Sequence, residues 1–185
     1  MSGGEGHPAT PGKVRWEVMA LEFLICRVTP QPLAVVRARA TSRNLGDRIR
    51  EILAENLVYP LLKKRGVAPL GLNVIVYRDE GEKGLLNTEE GLVIEVGVGV
   101  PGPFADEGRV VGSSTPGGTA VTAVHLGPYS RLGKTHAALR AWCRSSGRPI
   151  AGPNWEVYGH WNDDPAQLRT EVFYLLHPAA SGCGR

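Results

Sequence analysis

The chain has 185 residues, 42% of them hydrophobic and 21% charged, with a formal net charge of +3. That length fits one sizeable domain or two small modules sharing a core, and the apolar fraction excludes a mainly disordered chain. Basic and acidic residues are interspersed, which leaves no basic stripe for nucleic acid, and no apolar run approaches the ~18 residues of a membrane-spanning helix.

Residues 1–15 contain Gly and Pro and lack the apolar region of a signal peptide, so a flexible tail is expected there, with a second tail over 181–185. Leu21 to Val28 is apolar and stops before Pro30 and Pro32, and Leu33 to Ala40 continues with β-favouring residues, as one interrupted strand or two short ones. Thr41 or Ser42 can cap a helix in which Leu45, Ile49, Ile52 and Leu53 recur at helical spacing. It should run to about Arg65, be kinked or divided by Pro60, and end at Gly66. Lys63, Lys64 and Arg65 then suit the carbonyl end of that helix. Asn73 to Asp79 reads as a strand, Glu80 to Glu90 as a polar loop, and Leu92 to Val100 as a strand closed by Pro101-Gly102-Pro103.

The second half repeats this order. Gly112 to Gly118 reads as a linker; it lacks the lysine and spacing of a phosphate loop. Gly118 to His125 is a weakly alternating strand that ends at Gly127-Pro128-Tyr129. Leu132, Thr135, Leu139 and Trp142 recur at helical spacing until Gly147 stops the helix. Asn154 to Trp161 reads as a strand started by the Gly152-Pro153 turn, and Arg169 to Leu176 as the last strand before Pro178.

Gly66, Gly71, Asn73 and Tyr77 recur 81 residues later as Gly147, Gly152, Asn154 and Tyr158, and Val58 and Leu61 fall on Leu139 and Trp142. Matching element orders with no gap in this register point to an internal duplication. The fold class expected is α+β: two β-α-β-β modules, about 20–103 and 108–178, within a domain over 16–180. Related by a pseudo-two-fold axis, they would form one antiparallel sheet with helices on one face and a ligand groove on the other.

In that register Glu156 stands where the first half has Ile75. A carboxylate at a core-like position costs stability unless something needs it. Alternation along the strand puts Asn154, Glu156, Tyr158 and His160 on one face, and Trp155, Val157 and Trp161 on the other, core-facing side. Trp142, on the apolar helix stripe, also reads as core. For Glu156 the alternative is a surface carboxylate on an edge strand, and for Tyr129 a residue that only fixes its turn. Whether Tyr174, on the face of Val172 and Leu176, meets groove or core stays open.

Cys26, Cys143 and Cys183 are odd in number and far apart, forming neither a zinc pattern nor a disulfide framework, so a cytoplasmic location is expected. The five histidines (His7, His125, His136, His160 and His177) show no ligand-spaced pair, so no metal and no cofactor are expected.

The segments His125-Leu126-Gly127-Pro128-Tyr129, Leu139 and Trp142, Gly152-Pro153-Asn154-Trp155-Glu156-Val157-Tyr158, and Asp164-Pro165 together resemble the GyrI-like small-molecule-binding domain. This is the effector-binding module of AraC- and MerR-type multidrug regulators, and it also occurs alone. The resemblance spans about Leu21 to Pro178. It implies the duplicated β-α-β-β fold, Glu156 as a pocket carboxylate, and Tyr158, Tyr129 and other aromatics as walls. Glu95 matches an acidic position of the family's first half and would enter the groove from that side. Tyr77, Ile75, His160 and Tyr174 complete the expected ligand-binding set. The two modules leave no room for a helix-turn-helix domain, so a stand-alone member with no direct nucleic-acid or membrane partner is expected.

Three functions follow. The first is binding of hydrophobic, aromatic or cationic small molecules by a carboxylate among aromatic walls. The second is a hydrolase that opens the cyclopropane ring of DNA-alkylating natural products in self-resistance. There Glu156 would be the general base for water and Tyr158, Tyr129 or Tyr77 a donor to the developing oxyanion. The third is a gyrase-inhibitor-like interaction protein.

Overall fold

The computed structural model describes residues 21–78 and 91–178. The two expected tails, the loop over 80–90 and Cys183 lie outside the described residues. The strands are β1 (Leu24–Val28), β2 (Pro32–Ala40), β3 (Leu70–Tyr77), β4 (Leu92–Gly99), β5 (Val110–Ser114), β6 (Gly118–Leu126), β7 (Ile150–Tyr158) and β8 (Arg169–Leu176). The helices are α1 (Leu45–Glu55), α2 (Val58–Lys64) and α3 (Leu132–Ser145). All strands join one antiparallel sheet in the order β1-β6-β8-β7-β3-β4-β2-β5, the α+β architecture expected. No helix among the described residues is long and apolar enough to cross a membrane.

The expected division of the first helix occurs. Asn56 takes a left-handed conformation (φ 47°) that ends α1, and Pro60 sits in the first turn of α2, where a missing N–H costs no helical hydrogen bond. Gly152 (φ 118°) and Pro153 lie inside a longer β7, at a register shift between Ile150 and Asn154, and do not form the expected turn. β3 carries the counterpart, a shift between Leu70 and Asn73 around Gly71 (φ 79°). At a bulge the ladder is already interrupted, so proline's missing donor is tolerated.

Two pairings go beyond the sequence reading. β1 pairs with β6 and not with its neighbour β2, and the segment expected to be a linker carries the end of β5, which pairs with β2. Reciprocal bonds between Gln31 N–H and Thr115 Oγ1, and between Thr115 N–H and Gln31 C=O, both 2.9 Å, tie this crossover down.

The helix face carries two apolar clusters. α1 and α2 cover Ala34, Val36, Ile75 and Val96, while α3 covers Val121, Val172 and Leu176. On the opposite face Leu33, Val35, Val76, Ala120 and Trp155 form one buried cluster joined by Val28 of β1 and Val111 of β5. Both edge strands reach the same cluster, so the sheet curls closed on its helix-free side. A groove was expected there; that space is filled by the sheet's own side chains.

Glu95 lies on this closed face, because Ile94 and Val96 on either side of it take the helix face. It does not enter a groove. It is buried, accepting from Arg37 Nε at 2.7 Å, Arg78 Nε at 2.9 Å and Ser113 Oγ at 2.7 Å. Burial pushes its carboxyl pKa up, but the bonds from Arg78, Ser113 and Arg37 outweigh burial and hold it below the usual range. A depressed folded pKa contributes stability above the unfolded carboxyl's pKa, about 4.3, and loses it as pH falls through the folded value. Glu95→Gln should therefore lower unfolding free energy by roughly 1.5–3 kcal/mol near pH 7 in urea titrations, with the gap to wild type narrowing below about pH 4. A gap that stays constant to pH 3 would assign the loss to packing and not to charge.

Candidate functional site

β7 places Glu156 on the helix face, as its alternation predicts, with Trp155 buried on the other side. Its cross-strand neighbours are Ile75 on β3 and Val172 on β8, so the sheet surrounds the carboxylate with hydrocarbon. Only 3% of the residue is exposed. Its donors come from elsewhere. Leu132, Thr135, His136, Leu139 and Cys143 form the buried stripe of α3, and His136 reaches down to bring Nε2 2.7 Å from Glu156 Oε1. Tyr158, two residues along β7, donates its hydroxyl to Oε2 at 2.6 Å.

The chain of contacts continues behind the imidazole. His136 Nδ1 lies 2.9 Å from Tyr174 Oη, which accepts from Arg140 at 2.8 Å. The simplest complete assignment has the Tyr174 hydroxyl donating to Nδ1 and Nε2–H donating to Glu156. Glu156 is then an anion held by two donors. Each charge-assisted bond contributes about 1.5–3 kcal/mol. The desolvation of one ion costs several kcal/mol, so the two bonds offset it without a large surplus. Burial, with the Glu156 charge beside it, holds the Tyr158 phenol well above its ordinary pKa of 10, so it remains a donor.

Glu156 opens on a cavity of about 780 Å³ between α1 and α3, floored by β3 and β7. Leu45, Ile49 and Leu53 of α1 form one wall and Leu132 and His136 of α3 the other, with Leu72, Ile75 and Tyr77 on the floor. Tyr59, Tyr129 and Trp161 stand at the rim, 40%, 37% and 74% exposed. Tyr129 meets Tyr158 edge-on at 5.2 Å between centroids. His125 fixes that turn, with Nδ1 2.9 Å from Thr135 Oγ1 and Nε2 3.3 Å from the Pro128 carbonyl.

Of the expected residues, Glu156, Tyr158, Tyr129, Tyr77 and Ile75 meet in this cavity. Glu95 is on the far face. His160 is exposed and off the cavity, since β7 ends at Tyr158 and strand alternation stops applying. Tyr174 is fully buried, does not line the cavity, and bonds to His136, which does. Trp161, expected in the core with Trp155, is at the rim for the reason His160 is misplaced. His136 is the functional side chain the sequence reading missed. Its signal was a histidine on a largely apolar helix stripe, a place that demands a buried partner. No group of three metal-ligating side chains occurs among the described residues.

The chain belongs to the GyrI-like small-molecule-binding domain family, whose model matches residues 21–176. No curated protein sequence matches it. Among solved structures it is similar to the EcmrR C-terminal domain, with a TM-score of 0.71 and 21% identity over 86% of this chain and 99% of that one. SAV2435 bound to tetraphenylphosphonium is similar at a TM-score of 0.58 and 8% identity, covering 84% and 94%. A hydrolase from Listeria innocua is similar at 0.53 and 12%, covering 84% and 92%. At these identities the likeness is one of fold.

The Tyr158 environment is testable without a ligand. In ultraviolet titrations, the difference between wild type and Tyr158→Phe should show no phenolate signal until well above pH 10. In the Glu156→Gln background, which removes the neighbouring charge, the signal should move to lower pH. Ionisation at the ordinary value in both backgrounds would place Tyr158 in solvent.

Proposed function

We propose that the protein binds hydrophobic cations in the cavity between α1 and α3, with Glu156 as counter-charge and the tyrosines and Trp161 as walls. The observation that carries this reading is a buried carboxylate in a cavity lined mainly by apolar and aromatic side chains, whose one lining arginine, Arg50, is paired with Asp47. A cation in such a site gains from the ring faces and from a charge that water screens poorly. Its hydrocarbon shell gains about 25 cal/mol for each Å² of apolar surface it buries. The bound ligand of the SAV2435 structure, a bulky aromatic cation, agrees with this class. A cationic dye such as rhodamine 6G should bind at least tenfold more weakly to Glu156→Gln by fluorescence anisotropy, while a neutral dye of similar size should bind equally to both. Equal weakening of both dyes would mean that the substitution deforms the cavity and that its charge is not what is recognised.

A second reading rests on the Glu156–His136 pair, in which the imidazole holds a buried carboxylate at the cavity where it can take a proton from water. Hydrolysis of a cyclopropane conjugated to a carbonyl would use it. Water attacks a ring carbon and gives its proton to Glu156, the ring C–C bond breaks, and its electron pair moves into the carbonyl oxygen, which takes a proton from solvent. The hydrolase from Listeria innocua agrees with this reading at the level of fold. Mass spectrometry of a spirocyclopropyl dienone should then show a gain of one water with wild type and intact compound with Glu156→Gln. Intact compound with both leaves the protein a binder.

A further inference from the structure

The two helix ends that lie 81 residues apart have the same backbone and different surroundings. At the end of α2, Arg65 N–H bonds to Leu61 C=O, Gly66 N–H to Lys63 C=O and Val67 N–H to Leu62 C=O. At the end of α3, Ser146, Gly147 and Arg148 N–H bond to Trp142, Arg144 and Cys143 C=O, each pair displaced by the same 81 residues. Gly66 and Gly147 share the left-handed conformation, φ 64° and 65°.

The α2 end is occupied by the chain itself. The Glu107 carboxylate accepts from Lys64 Nζ at 2.9 Å and from Arg65 at 2.7 Å, and the Phe104 ring lies 4.6 Å beneath the Arg65 guanidinium. A carboxylate and an aromatic ring thus fill the space beside that helix terminus. A bare helix carboxyl end carries partial negative charge and would repel an anion. Lys64 and Arg65 reverse that field.

The α3 end carries the same kind of charge beside a cleft. A cleft of about 400 Å³ there is lined by Arg140, Arg144 and Arg148 over an apolar floor that includes Cys143, Pro149 and Ile150. Arg144 and Arg148 have no carboxylate partner among the described residues, whereas the basic groups at the α2 end share Glu107. We propose that this cleft binds a small molecule bearing a carboxylate on an aromatic or aliphatic body, in the way Glu107 and Phe104 occupy the equivalent end of α2. Arg144 and Arg148 hold the carboxylate, and the floor takes the body. The site shares no lining residue with the cavity over Glu156, and Arg140 links the two by its bond to Tyr174.

The test is titration of the protein with phenylacetate at low ionic strength, followed by amide chemical shifts. Saturable shifts are expected at Gly147, Arg148 and Ile150, with inorganic phosphate binding more weakly because it lacks an apolar body. The double variant Arg144→Gln/Arg148→Gln should weaken phenylacetate at least tenfold, and the charge-retaining Arg144→Lys/Arg148→Lys should keep most of the affinity. Glu156→Gln should leave phenylacetate unaffected, so failure here is distinct from failure of cation binding over Glu156. Unchanged affinity in the Gln double variant, shifts that follow Glu156→Gln, or equal affinity for phosphate and phenylacetate would each overturn the proposal.

Discussion

The site depends on keeping one carboxylate charged in a sheet face built of hydrocarbon. Glu156 sits between Ile75 and Val172, neither of which can donate a hydrogen bond, so its donors must come from above the sheet or from along its own strand. His136 on α3 and Tyr158 on β7 supply them. This constrains the seat of α3: a shift or rotation large enough to lift His136 would leave the anion with a single donor, at a cost of the order of a lost charge-assisted bond, about 1.5–3 kcal/mol. The carboxylate and the helix therefore fix each other. Tyr174 and Arg140 extend the same constraint by holding the imidazole from behind.

The cavity lies on the helix face because the other face is used up. A long antiparallel sheet twists, and here it curls until Val28 and Val111, from opposite edges, join one cluster with Trp155 and Val76. A small chain with one sheet must bury both its faces somehow. It covers one by curling and the other with helices, and the helices among the described residues leave part of that face open. The gap falls between α1 and α3, over the seam where β3 pairs with β7, which is also where Ile75 faces Glu156.

The parts of this that the sequence made legible are those written in local periodicity. Alternation along β7 places Glu156 opposite Trp155, the stripe of α3 is read from Leu132 to Trp142, and Pro60 marks the break between α1 and α2. The errors share one cause, which is that pairing and curvature are not local. Glu95 has the alternation of a groove residue, but which face is the groove depends on how the two sheet edges meet. β1 leaves its sequence neighbour for β6, a partner far along the chain that no local pattern announces. His160 and Trp161 were assigned by a period that stops at Tyr158. His136 was legible in principle: a histidine between Leu132 and Leu139 on a buried stripe needs a partner, and the only carboxylate already marked as out of place was Glu156.

The repeat in the backbone makes the differences between the halves informative. Where the local backbone is alike, as at Gly66 and Gly147 with φ 64° and 65°, the side chains that differ stand out against a similar background. Ile75 and Glu156 are one such pair, and the cavity forms around the charged member. The ends of α2 and α3 are another. At α2 the cations are neutralised by Glu107 and shielded by Phe104, so that end is finished as structure. At α3 the cations stand over an open, partly apolar cleft. In both pairs the second half holds a charged group beside a concave, partly apolar surface, the setting in which small molecules are recognised.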